Sequence, residues 1–128
     1  MPTLVAGVAF IDKDGKVLTI SNHHGSHTFI GGKIEGKEKP IDALMRECRE
    51  ELPGANITAL SYYHSFAGKN RRDEDVEIYI FIGEVEGDLT PGSELTEHEV
   101  NWVGFDEFEG SQVMKEIMTS LKNDGYIT

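Results

Sequence analysis

With 128 residues, 38% of them hydrophobic and 27% charged, the chain is long enough for one domain with a real core and too short for two ordinary ones, so residues 1–128 read as a single domain. Its 23 acidic against 12 basic residues give a formal charge of −11, which disfavours nucleic-acid backbones and anionic membranes as partners, and a phosphate-bearing substrate would need metal ions to approach. No apolar run nears the roughly 20 residues of a membrane span, and no basic stretch leads into an apolar one as in a signal peptide, so a soluble, cytoplasmic protein is expected.

Leu4 to Ile11 and Val17 to Ile20 are β-rich runs separated by the turn residues Asp12-Lys-Asp-Gly15, which predicts a β-hairpin. Ser21 to His27 is polar, and Thr28-Phe-Ile then leads into Gly31-Gly32, where backbone can approach a ligand closely. Pro40 suits a first helical turn, and Ile41, Leu44, Met45, Cys48 and Leu52 recur on one helical face before Pro53-Gly54 ends the helix. Cys48, the only cysteine, lies on that stripe and reads as a small buried hydrophobe. Ile57 to Phe66 and Val76 to Val85 carry strand composition, and the hydrophilic Gly68 to Asp75 between them predicts a loop with some freedom. A second loop spans Gly87 to Glu97, Val100 to Phe105 with Trp102 makes a last strand, and Val113, Ile117, Met118 and Leu121 mark an amphipathic C-terminal helix. The order of elements predicts an α+β chain: a mixed β-sheet with helices on both faces.

The helix carries the chemistry. Residues three and four apart are neighbours, so Glu47 faces Glu50 and Glu51, and the three carboxylates can converge on a common point. Crowded carboxylates repel unless a cation sits among them, and hard oxygen ligands favour Mg2+ or Mn2+. The other use of such a face is plain solvation. Gly31-Gly32 nearby and the opposite charges of Glu38 and Arg46, able to brace the approach against the helix, favour the metal.

Gly32, five residues, Glu38, seven residues, then Arg46-Glu47-Cys48-Arg49-Glu50-Glu51 closely resembles the Nudix box of the Nudix hydrolases, including the MutT-like members. The lead-in Phe29-Ile-Gly-Gly-Lys-Ile-Glu35 resembles the family's too, with Ile30 where proline is common. One departure follows the box glutamates: Leu52-Pro53 precede Gly54 where the pattern has a single residue, which touches the helix-to-strand connection. The resemblance implies an α/β/α sandwich around a central mixed sheet. It implies that Glu47, Glu50, Glu51 and the Gly32 carbonyl bind Mg2+ or Mn2+, while Glu38 and Arg46 orient loop and helix. It further implies hydrolysis of a nucleoside diphosphate linked to another group, by metal-assisted attack of water within the pyrophosphate. The general base is then a box glutamate or an acidic residue shortly before Trp102; of Glu94, Glu97 and Glu99, Glu97 is favoured. Many relatives are homodimers.

Substrate choice rests on weaker signals. His27, with His23 and His24, precedes the glycine pair, and Arg71 and Arg72 with Lys69 form the basic patch of an acidic chain, suited to a phosphate or sugar. Tyr62, Tyr63 and Phe66 alternate along a strand, open to base stacking or to core or dimer packing. The default substrate is a nucleoside triphosphate, intact or damaged. The alternative function is a sensor that binds a nucleotide or metabolite on the same fold without cleaving it.

Overall fold

The computed structural model describes residues 1–21, 25–95 and 98–128, residue 94 in its backbone alone. Through them run β1 (Thr3–Phe10), β2 (Val17–Ser21), β3 (His27–Lys33), α1 (Pro40–Glu51), β4 (Ala55–Lys69), β5 (Asp75–Gly87), β6 (Glu99–Val103) and α2 (Gln112–Asn123), with short 3-10 turns at Ser93–Leu95 and Phe105–Glu107. The strands pair in the order β4-β5-β1-β3-β2-β6. β1 runs parallel to β5, and the remaining neighbours are antiparallel.

Strand alternation sorts the core into two layers. Ala6, Val8 and Phe10 face Leu44 and Cys48 of α1 and Leu52 just past its end, together with Leu18, Ile20, Ile30 and Phe81. On the opposite face Ala9, Val17, Phe29, Ile78 and Ile80 meet Val113, Ile117, Met118 and Leu121 of α2. The result is the expected α/β/α sandwich about a mixed sheet. Ile41 and Met45 are only partly buried, whereas Ala43, off the expected stripe, is fully buried.

Two local expectations are corrected. β1 and β2 do not form a hairpin: after the single bridge Ile11↔Val17 they diverge, and β3 inserts between them. The turn itself forms as its residues suggest, with Asp12 Oδ1 accepting from the amides of Asp14 and Lys16, both at 2.9 Å. Strand pairing is decided elsewhere, because β1 is buried on both faces and takes β3 and β5 as its neighbours. The second correction concerns residues 68–75. They form no free loop, since β4 and β5 pair as far as Lys69↔Asp75, an ion pair at 2.8 Å closes the end, and Asn70 Oδ1 accepts from the amides of Arg72 at 2.9 Å and Glu74 at 3.0 Å. One asparagine side chain thus stands in for a turn's missing backbone partners.

Of the aromatic trio on β4, Tyr63 reaches α2, its hydroxyl bonded to Ser120 Oγ at 2.6 Å and to Asp124. Phe66 joins the same layer. Tyr62, across the sheet, packs edge-on against Phe81 and is half exposed. Among the described residues no helix is long and apolar enough to cross a membrane.

Candidate active site

Three segments meet at the start of the site: the end of β3, the loop to α1, and the last two turns of α1. Arg46 ties them. Its Nε donates to Glu38 Oε2 at 2.9 Å and its Nη2 to Glu38 Oε1 at 3.0 Å, a two-pronged contact. Nη2 also reaches the Lys33 carbonyl at 3.0 Å, and Nη1 reaches Glu47 Oε1 at 2.9 Å. Glu50 lies within 3.7 Å of the same guanidinium. Glu38 in turn accepts from the Glu35 amide at 2.8 Å, which closes the loop on itself.

Electrostatics follow the contacts. The Arg46 hydrogen bond first, and the Glu35 amide second, hold the Glu38 carboxyl at about 2 against an ordinary 4.5. Arg46 is raised still higher by Glu38 and Glu47. A carboxyl depressed on folding stabilises the folded state above 4.5 and loses that contribution as pH falls toward 2. Glu38→Gln should therefore flatten the acid limb of a plot of urea midpoint against pH in this window. A limb as steep as wild type would show that the pair contributes nothing.

The glycines decide how close the helix comes. A Cβ on Gly32 would lie 2.4 to 2.7 Å from the carboxylate atoms of Glu47, so that carboxylate rests directly on the strand backbone. Gly31 donates its amide to Glu51 Oε1 at 2.8 Å. Glu47 and Glu51 thus flank the glycine pair, and Glu50 is the most exposed of the residues Arg46 holds on the helix. The three carboxylates do not, however, meet at one point. Among the described residues no three Asp, Glu, His or Cys side chains are gathered at metal-ligand spacing, because Glu47 is drawn to Arg46 and Glu51 to the Gly31 amide. Like charges separate when each has a donor of its own. The set still fits a hard divalent cation: the carboxylates of Glu47 and Glu51 lie against a strand end whose lack of a Cβ leaves the backbone open.

Cys48 faces inward beside these acids. Burial first, then the charges of Glu51 and Glu47, push its thiol up to about 12, which removes any nucleophilic role at neutral pH.

Arg71 and Arg72 reach the same end of the sheet. With Thr28, Lys33, Asn70, Glu74, Ser111 and Met114 they line a hollow of about 440 Å³ that begins at Lys33, the residue after the glycine pair. Arg71 also borders a second hollow, of about 360 Å³, with Gly25, Ser26, Glu109 and Gly110. His27 is engaged elsewhere, since its Nδ1 accepts from the Glu109 amide at 2.9 Å. His23, His24 and Glu97 lie outside the described residues, as does the side chain of Glu94; Glu99 opens β6 and is exposed. One contact had no signal in the sequence. Gly92 donates to the Glu51 carbonyl at 2.8 Å, and a Cβ there would lie 2.1 Å from the Glu50 carbonyl, so the loop after β5 packs on the C-terminal turn of α1.

Known proteins resemble this chain in sequence and in fold. A curated relative, the CTP pyrophosphohydrolase of Escherichia coli (strain K12), is 42% identical over 62 residues, 44% of this chain; the match spans 45% of that relative's length. Among solved structures, a MutT NUDIX hydrolase from Burkholderia pseudomallei superposes with a TM-score of 0.76 at 20% identity, covering 93% of this chain and 97% of that one. The E. coli ORF135 protein superposes at 0.66 with 24% identity, covering 97% and 94%. The NUDIX domain model matches residues 1–121, box and flanking sheet together, and the chain belongs to that family.

Proposed function

We propose that the chain is a Mg2+- or Mn2+-dependent pyrophosphohydrolase of the cytoplasm, cleaving nucleoside diphosphate derivatives, with nucleoside triphosphates as the default substrates. The observation that carries this is the glycine-paired strand end with Glu47 and Glu51 laid against it and a basic hollow opening at the next residue. Bound at Glu47, Glu50, Glu51 and the Gly32 carbonyl, the metal would neutralise phosphate oxygens and the leaving phosphate. The protein supplies position. Arg46 holds Glu47 by one prong and the loop by two others, so the carboxylates and the glycine carbonyl keep a common frame. Lys33, Arg71 and Arg72 offer donors to phosphate or sugar oxygens. Water attacks phosphorus, the bridging P–O bond breaks, and the water's proton passes to a carboxylate, for which Glu97 is proposed.

Products should be measured from a panel of nucleoside triphosphates including CTP, nucleotide sugars, ADP-ribose and dinucleoside polyphosphates, with and without Mg2+. The similarity to a protein named as a CTP pyrophosphohydrolase places CTP early in that panel. Metal-dependent release of nucleoside monophosphate from a triphosphate is expected. Binding without turnover across the panel would instead favour a sensor. With a substrate in hand, Glu97→Gln should slow turnover more than Glu94→Gln. Equal small effects would move the base back to the helix.

A further inference from the structure

We infer that His27 is a positioning residue for the substrate cleft, acting through a hydrogen bond it makes only while its Nδ1 is unprotonated. His27 opens β3, and there it exchanges two bonds with one residue of the segment before α2: its amide donates to the Glu109 carbonyl at 2.6 Å, and the Glu109 amide donates to its Nδ1 at 2.9 Å. The second bond replaces a backbone carbonyl with an imidazole. Its ring lies 5.6 Å from that of Phe108, which stacks at 5.8 Å on Phe29, two residues further along β3. A Cβ on Gly110 would stand 3.0 Å from the His27 carbonyl and 2.7 Å from the Phe108 ring, so the segment is pressed onto the strand. Ser111 then caps α2, its Oγ accepting from the Met114 amide.

That stapled segment is a wall of the cleft. Glu109 and Gly110 border the hollow at Arg71, and Ser111 and Met114 border the one at Lys33, Arg71 and Arg72. His27 therefore sets where the wall stands relative to the arginines, without lining either hollow. A protonated imidazole carries hydrogens on both nitrogens, which would turn Nδ1–H toward the Glu109 N–H and break the bond. Among the described residues, the charged groups on the elements around it are Glu109 in the stapled segment, Arg71 from the β4–β5 turn, and Glu99 on β6, which pairs with the neighbour of His27, Ser21. Proton uptake at Nδ1 thus opposes the staple, because it removes the acceptor that the Glu109 amide uses.

Asparagine can place Oδ1 where Nδ1 stands and does not titrate, whereas alanine offers no acceptor. KM and kcat of wild type, His27→Asn and His27→Ala are to be measured from about pH 8 to about pH 5.5, alongside the Glu109 amide signal by NMR. Wild-type KM should rise several-fold more on acidification than that of His27→Asn, with kcat changed far less. His27→Ala should have a raised KM at both ends. Superimposable KM profiles for wild type and His27→Asn would overturn the inference. The kinetic arm rests on the pyrophosphohydrolase proposal, and the NMR arm does not. Should no nucleotide be turned over, a Glu109 amide that shifts with pH in wild type but not in His27→Asn still supports the staple, and equal shifts in both still reject it.

Discussion

Glu51→Gln is expected to lower turnover by on the order of 10³-fold, the scale of removing one well-placed charge-stabilising group, while the urea midpoint stays near that of wild type. The separation of the two effects comes from a single contact. Glu51 Oε1 accepts from the Gly31 amide at 2.8 Å, and a glutamine carbonyl can accept the same bond at the same place. What the amide cannot supply is the negative charge proposed to hold a divalent cation. Structure is kept and charge is lost. Steady-state rates at saturating Mg2+, with the unfolding curve recorded on the same preparation, test this directly. A variant with unchanged metal-dependent rate would sink the assignment of Glu51, and a variant that lost rate together with its fold would show that the bond to Gly31 is doing something other than placing a carboxylate.

Gly31→Ala should be the most damaging single change to the fold, costing about 3 kcal/mol or more by adding a backbone collision to a disfavoured conformation. Gly31 sits at φ +148°, and a Cβ there would lie 2.1 Å from the Ala6 carbonyl oxygen and 2.7 Å from the Gly7 Cα. Both obstacles belong to β1, a strand held by neighbours on both sides, so neither can give way. Gly32→Ala is the informative comparison. Its Cβ meets only the carboxylate of Glu47, the far end of a flexible side chain. Gly32→Ala should therefore fold and lose activity, whereas Gly31→Ala should lose stability first. Urea unfolding of the pair decides the matter, and equal midpoints would refute the distinction.

The parts of this site that could be read from the sequence are those set by short spacing. Glu47, Glu50 and Glu51 fall on one helix, and Glu38 lies at the length of loop that lets it reach Arg46. α2 was equally legible, because Val113, Ile117, Met118 and Leu121 follow the helical period and all are buried. Strand neighbours were not. The turn at Asp12 to Gly15 carries the right residues for a hairpin, yet which strand lies beside β1 depends on burial of both its faces, a property of the whole sheet. That the three carboxylates are held apart among the described residues has a different cause. Helical geometry says which residues share a face, but side-chain torsions follow the nearest donors, here Arg46 and the Gly31 amide. The bonds of Gly92 to Glu51 and of Glu109 to His27 join residues far apart in the chain and had no local signature.

The placing of β1 also bears on how the molecule is assembled. The twenty-odd residues from Gly32 to Gly54 form a local motif in the chain but not a self-sufficient unit of folding, since the strand that supports Gly31 and Gly32 is β1, and β1 pairs on its other side with β5, from Thr3↔Val76 to Phe10↔Gly83. A parallel partner some seventy positions away must be brought in against the entropy of closing that loop, a slow class of step. During synthesis the helix can form early, but the cradle for its glutamates cannot close until β5 has left the ribosome. Chains truncated before β5 should therefore expose the hydrogen-bonding edge of β1 and associate with one another instead of acquiring a weakened site.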